Sequence, residues 1–282
     1  MNWAVGGLGL GLGIVFFVAI RDDRFTSVVE ISDRYGDAIV GQVPEVASVS
    51  DGAGLPLLEI NDNRHIFVEA FRSLRSALFF GAANGEHQKV ILITSAVPNE
   101  GKSTIAANLA RTLALGGSRV VLVDADVRRG MLHKLMGMHR TPGLAEALLD
   151  GRDVESLLQK DALANLWFLP RGGTLNNPGD FFLGAKLDGL LERLRHQFDY
   201  VLIDTCPVFA ADDATTLAPK VDGTLLVVRS GFSSAHAVQR ALEMLTQRKA
   251  KILGMVFNRA NAAARTYYYY RYESYHPSVA TE

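Results

Sequence analysis

Cysteine is nearly absent: Cys206 stands alone in 282 residues. An intrachain disulfide is therefore excluded. So is a thiolate zinc site, which needs at least two such ligands. A single cysteine points to a reducing compartment. Net charge is also almost absent, with 29 basic side chains against 30 acidic ones. No global field draws such a chain to nucleic acid, and no nucleic-acid partner is expected. There is no internal repeat. Hydrophobic residues make up 48% and charged residues 21%. That balance excludes disorder, collagen and a coiled-coil rod for the bulk of the chain.

Charge is missing altogether from residues 1–20. Twenty helical residues reach roughly 30 Å, the thickness of a hydrocarbon core. Gly7/Gly11 and Gly9/Gly13 are spaced as small-xxx-small pairs, which let two such helices approach closely. A signal peptide would need a basic start and a small-x-small cleavage site, and neither precedes Arg21. A buried core helix is the remaining alternative. The expectation is a single membrane-spanning helix over 1–20. Arg21, Arg24 and Arg34 follow it, so the long C-terminal part is expected in the cytoplasm. Residues 21–60 read as a juxtamembrane connector, with a short strand at Ile39–Val43 and a loop by composition at Ser48–Gly54.

Residues 62–84 predict a helix. Phe67, Phe71, Leu74 and Leu78 form its apolar stripe, and Asp62 or Asn63 is placed to cap it. Glu69, Arg72 and Arg75 recur every three residues and share one arc. From spacing alone, a solvated face is favoured over a charged seam to another subunit. Beyond it, short apolar runs alternate with helical patterns. Strands are expected at Lys89–Thr94, Arg119–Asp124, Leu166–Pro170, Tyr200–Asp204, Gly223–Arg229 and Ile252–Asn258. Helices are expected at Lys102–Leu115, Leu187–Gln197 and Ala235–Gln247. Strands apolar on both faces, separated by helices, define an α/β fold: a mainly parallel sheet covered on both sides.

The strongest motif is Ala96-Val-Pro-Asn-Glu-Gly101-Lys102-Ser103-Thr104. It matches G-x-x-x-x-G-K-[ST] except that Ala96 replaces the first glycine. Its setting, strand then loop then helix, is the context that makes the motif a phosphate site. Backbone N–H groups of the loop and helix start cradle phosphate. Gly101 permits close approach, Lys102 reaches the β/γ-phosphates and Ser103 ligates Mg²⁺. Asp124 and Asp126 end one strand and Asp204 ends another. In a parallel sheet these strand ends share the ligand edge. Mg²⁺ takes one or two carboxylates plus phosphate and water.

Asp124-Ala-Asp126-Val-Arg128 after an apolar strand resembles the second acidic motif of one P-loop branch. That branch includes the partition and division-site ATPases and the bacterial tyrosine kinases. The ATPases carry an extra lysine early in the loop, where this chain has Val97, so the resemblance leans to the kinases. Thr94 to Thr104 looks like their P-loop. Glu69-x-x-Arg72-x-x-Arg75 looks like their subunit-contact motif, which reverses the preference drawn from spacing. Asn177-Pro178, Asp213-Ala214 and Val256-Phe-Asn258 also sit where members have similar residues. Many members carry two membrane helices around a periplasmic domain, and the apolar stretch here resembles the second.

The resemblance implies a P-loop kinase domain over 61–260 and a flexible tyrosine-rich tail over 261–282. In that tail Tyr267, Tyr268, Tyr269, Tyr270, Tyr272 and Tyr275 crowd into nine residues. As the family does, the chain is expected to phosphorylate this cluster with ATP, one subunit acting on its neighbour in a ring-like homo-oligomer. Each phosphate adds roughly −1.5 to −2 charge, which would drive the ring apart. The implied catalytic residues are Lys102, Asp124, Asp126 and Asp204, with Asp124 orienting or deprotonating the tyrosine hydroxyl. Gly101, Lys102, Ser103 and Thr104 bind nucleotide, Asn258 contacts adenine, and Ser103, Asp126 and Asp204 hold Mg²⁺. Implied partners are a transmembrane activator or co-polymerase subunit, polysaccharide export machinery and a phosphotyrosine phosphatase. The chain departs from the family at Asn99, where Gly is common, and at Gly130, where Pro is frequent. It departs again at Cys206, inside a run that is commonly Asp-x-Pro-Pro. Cys206 is either a small buried residue or a redox-sensitive thiol. Two rivals stand beside the kinase: a membrane-tethered ATPase switch without kinase activity, and a scaffold of the polysaccharide machinery.

Overall fold

The computed structural model describes residues 22–36, 38–46, 57–80, 88–175 and 178–261. The membrane helix expected over 1–20, Asn177 and the six tail tyrosines lie outside these residues. Among the described residues, no helix is long and apolar enough to cross a membrane.

The chain begins with α1 (Val28–Tyr35), β1 (Ile39–Pro44) and α2 (His65–Phe80). Next come β2 (Val90–Ser95), α3 (Lys102–Leu115), β3 (Val120–Asp124), α4 (Leu132–Leu135) and α5 (Leu144–Asp150). The short strands β4 (Gln159–Lys160) and β5 (Leu166–Leu169) follow, then α6 (Pro178–Leu183) and α7 (Ala185–Gln197). The last elements are β6 (Tyr200–Asp204), α8 (Asp213–Leu217), β7 (Gly223–Arg229), α9 (Ala235–Gln247) and β8 (Ile252–Ala260).

All eight strands form one sheet in the order β1-β8-β7-β2-β6-β3-β5-β4. Every neighbouring pair is parallel except β4 with β5. Each residue of β2, β3 and β6 is buried, which explains why their sequences run apolar without alternation. The pleat still sorts them. Val90 and Leu92 face one apolar layer with α7 and α9, while Ile91 and Ile93 face another with α2 and α3.

In residues 22–44, read as a connector with a short strand at Ile39–Val43, that strand forms as β1 at the sheet edge, and a helix not expected there precedes it. Ile31 of α1 is fully buried, and β1 pairs in parallel with β8. α2 lies over β1 so closely that a Cβ on Gly41 would sit 2.9 Å from Leu74 Cδ1. The segment before α1 runs along the turn between β7 and α9. Phe25 N–H donates to the Ser233 carbonyl (3.0 Å), and Ala235 N–H donates to the Asp23 carbonyl (2.9 Å). The Asp23 carboxylate accepts from Ser234 Oγ (2.6 Å) and His236 N–H (3.1 Å).

β2 sits between β6 and β7, and the chain leaves it to build outward in both directions. Such a switch point opens a crevice at the C-terminal strand ends. The loops after β2, β3 and β6 all meet there.

Candidate nucleotide site

The loop between β2 and α3 is held in a tight turn. Gly101 has φ +95° and Asn99 has φ +69°, a left-handed conformation that asparagine tolerates better than most residues. A Cβ on Gly101 would run into the side-chain nitrogen of Asn258. α3 then starts at Lys102, so the free N–H groups of its first turn face the loop's mouth. Thr104 lies in this turn, where its carbonyl accepts a bond from Asn108 Nδ2 (3.0 Å).

The three expected carboxylates converge on Lys102. Asp124 and Asp204 lie side by side in register at the ends of β3 and β6. Lys102 Nζ is 3.4 Å from Asp126 Oδ2, 3.7 Å from Asp204 Oδ1 and 3.2 Å from Ser103 Oγ. Ser103 Oγ donates to Asp204 Oδ2 at 2.6 Å. Asp124 Oδ1 accepts the Asp126 N–H (3.2 Å), and Asp126 Oδ1 accepts the Arg129 N–H (2.8 Å). Two buried oxygens, Asp124 Oδ2 and Asp204 Oδ1, have no hydrogen-bond partner among the described residues.

Three carboxylates around one ammonium leave the edge electronegative and dry. Burial pushes Asp204 up to about 6, against the pull of Lys102 and Ser103. Burial, reinforced by the charges of Asp204 and Asp126, raises Asp124 well above the ordinary carboxylate range. For Lys102, burial favours the neutral amine, but Asp204, Asp126 and Asp124 outweigh it and its pKa is raised. The oxygen-only donor set of Ser103, Asp126 and Asp204, with unpartnered buried oxygens beside it, fits Mg²⁺. Among the described residues, no three His, Cys, Asp or Glu side chains gather into a complete metal cage. Mg²⁺ does not require one, because it keeps water and phosphate oxygens in its shell.

Other expected residues fall elsewhere. Asn258 is buried against the loop: its Nδ2 donates to the Glu100 carbonyl (2.8 Å) and its Oδ1 accepts the Arg259 N–H (2.9 Å). Both ends of the amide are thus engaged by the chain itself. Glu69 and Arg72 form an exposed pair at 2.6 Å on α2. Arg75 turns away from them, with its Nη1 3.4 Å from the Thr112 carbonyl at the end of α3. Cys206 is buried, and burial pushes its thiol up to about 11, which makes it a poor nucleophile. Gly130 fits because it is small: a Cβ there would meet Asp124 and the Asp126 carbonyl.

Two features escaped sequence reasoning. Arg128 grips the buried Asp213 of α8 through two bonds of 2.8 and 3.1 Å, tying the loop after β3 to the far side of the site. Glu100, the only charged residue of the β2–α3 loop, is fully buried. A charge in one of the motif's unspecified positions was the signal for the second.

The fold and the site together define a P-loop nucleotide-binding protein. A family model described as an AAA domain matches residues 88–253. The putative tyrosine-protein kinase EpsB of Ralstonia nicotianae is 32% identical over 289 residues, covering 96% of this chain and 38% of that protein. The BceF tyrosine kinase domain superposes with a TM-score of 0.73 at 30% identity, over 83% of this chain and 98% of that one. The kinase domain of the Escherichia coli tyrosine kinase ETK does so with a TM-score of 0.76 at 26% identity, over 84% and 96%. The chain belongs to the bacterial tyrosine kinase family. It spans 28–38% of the length of the first curated relatives it matches.

Proposed function

We propose that the chain is an ATP-dependent protein-tyrosine kinase. It phosphorylates Tyr267, Tyr268, Tyr269, Tyr270, Tyr272 and Tyr275 of a neighbouring copy within an oligomer. In this reading residues 1–20 tether it to the bacterial cytoplasmic membrane, and it regulates capsular or exopolysaccharide synthesis and export. The observation that carries the proposal is the convergence of Lys102, Ser103, Asp126, Asp204 and Asp124 at one sheet edge, with an unpartnered oxygen on Asp124.

Each residue then has a task. Loop and helix N–H groups receive the phosphates, and Lys102 moves from its carboxylate partners onto the β/γ-phosphates. Mg²⁺, held by Ser103, Asp126 and Asp204, would neutralise charge on the transferring group. Asp124 accepts a hydrogen bond from the tyrosine hydroxyl through its free oxygen. Its raised pKa brings it nearer to neutrality, where a proton acceptor works best. Positioning and electrostatics carry most of a phosphoryl transfer, so no stronger base is required. The EpsB and ETK names, as tyrosine kinases, support the same assignment.

Intact-mass spectrometry with ATP and Mg²⁺ tests it. A ladder of added phosphates is expected, confined to the tail and absent in Lys102→Met. Tyr→Phe across the cluster should abolish the ladder and leave nucleotide binding intact. A ladder that persists in Lys102→Met refutes the assigned site. ATP hydrolysis without any ladder favours the ATPase switch.

A further inference from the structure

Glu100 has no part in the chemistry just described, yet it is completely buried within the phosphate loop. Burial pushes its carboxyl above the ordinary range, and uncharged donors hold it. One oxygen accepts the Val97 N–H at 2.8 Å, across the turn. The other is bonded by the Ser233 hydroxyl. Ser233, itself fully buried, accepts the Arg229 N–H at 2.7 Å. The adjoining carbonyls are tied to the same side. That of Asn99 accepts Arg229 Nη1 (3.0 Å), and that of Glu100 accepts Asn258 Nδ2.

A turn with Asn99 in the left-handed region persists only where its surroundings hold it. The carboxylate supplies much of that hold. It takes up the Val97 amide across the turn, and it fastens the loop to the β7–α9 turn. The direction of the next N–H groups, those of Gly101 to Ser103, follows from the curvature so set. We propose that Glu100 is a positioning residue of the phosphate loop, strung between Val97 and Ser233 so that the loop keeps its nucleotide-receiving shape. The inference rests on the nucleotide-site reading above.

The test is a double-mutant cycle on the full chain, reading the affinity for a fluorescent ADP analogue with Mg²⁺. Glu100→Ala removes both acceptor oxygens and Ser233→Ala removes the hydroxyl, so each breaks the Glu100–Ser233 hydrogen bond and should weaken binding about tenfold. The double variant should be no weaker than the worse single one. Melting curves without nucleotide report folding, and should Glu100→Ala lose its cooperative transition, Ser233→Ala decides by the same criterion. Binding within twofold of the unsubstituted chain, or losses that multiply to about a hundredfold, overturn the inference. An unsubstituted chain that binds no nucleotide overturns the site reading and this inference with it. A binding unsubstituted chain with unaffected variants overturns the inference alone.

Discussion

Adding a single methyl group at Gly130 should disable the site without touching a charged residue. A Cβ there would lie 2.6 Å from Asp124 Oδ2 and 2.5 Å from the Asp126 carbonyl, and closer still to Asp124 Oδ1. That is at least about 0.8 Å short of ordinary contact in an interior packed as densely as a crystal. The carboxylate has little freedom to yield. Asp124 is fully buried, its Oδ1 is committed to the Asp126 N–H, and its strand is flanked on both sides. The loop cannot easily move either, because Gly130 N–H donates to the Asp126 carbonyl at 2.6 Å. Overpacking of this kind costs about 2 kcal/mol, and so lowers the melting temperature by about 4–8 °C. A shift of about 1 Å in the group proposed to meet the substrate oxygen should slow the reaction about a hundredfold. The assay is the initial rate of tail phosphorylation, followed by mass, with a melting curve alongside. Gly130→Ala phosphorylating within threefold of the unsubstituted rate would refute the assigned geometry of Asp124.

Stability should vary with pH at the same site. The folded pKa of Asp204, about 6, lies above its unfolded value, so the folded chain binds the proton more tightly. Asp204 therefore contributes up to about 3 kcal/mol more stability to the nucleotide-free protein near pH 4 than at pH 7, lost as pH rises through 4–6, while carboxylates with lowered pKa such as Asp62 and Asp199 act the other way. Asp204→Asn should flatten that slope and raise the melting temperature at pH 7.5 while abolishing phosphorylation; an unchanged slope in urea titrations would contradict it. Removing the cation that grips Asp213 should act on folding. Arg128→Ala leaves a buried carboxylate unpaired and should cost about 2 kcal/mol, a moderate value because Arg128 is partly exposed. A melting temperature unmoved by that change would show the pair to be idle.

The parallel strands from Lys89 onward were legible because burial on both faces leaves an apolar run bounded by turns. α3 and α9 match their expected bounds, Lys102–Leu115 and Ala235–Gln247, because each sits between clear punctuation. α1 was not legible: in Val-Val-Glu-Ile-Ser-Asp-Arg-Tyr only Ile31 is buried, too little for a periodic stripe. β4, two residues long and antiparallel, leaves no pattern at all. At the site, the carboxylates could be read because strand ends in a parallel sheet must share an edge. Partners distant in sequence could not. Ser233 lies 133 residues from Glu100, and Thr112 lies 37 from Arg75. Only the fold brings them together.

The edge strand β1 has a practical meaning for anyone cutting this chain. It covers β8 along Ile39–Pro44, and the next strand inward carries the residues that brace the phosphate loop. A shortened protein starting at residue 61 would bare a nine-residue strand with its row of free N–H and C=O groups. Bare strands of that kind recruit one another. Such a preparation would self-associate through β8, and its clumping would resemble the proposed assembly of copies. Starting at residue 22 keeps the cover in place and the two kinds of association separable.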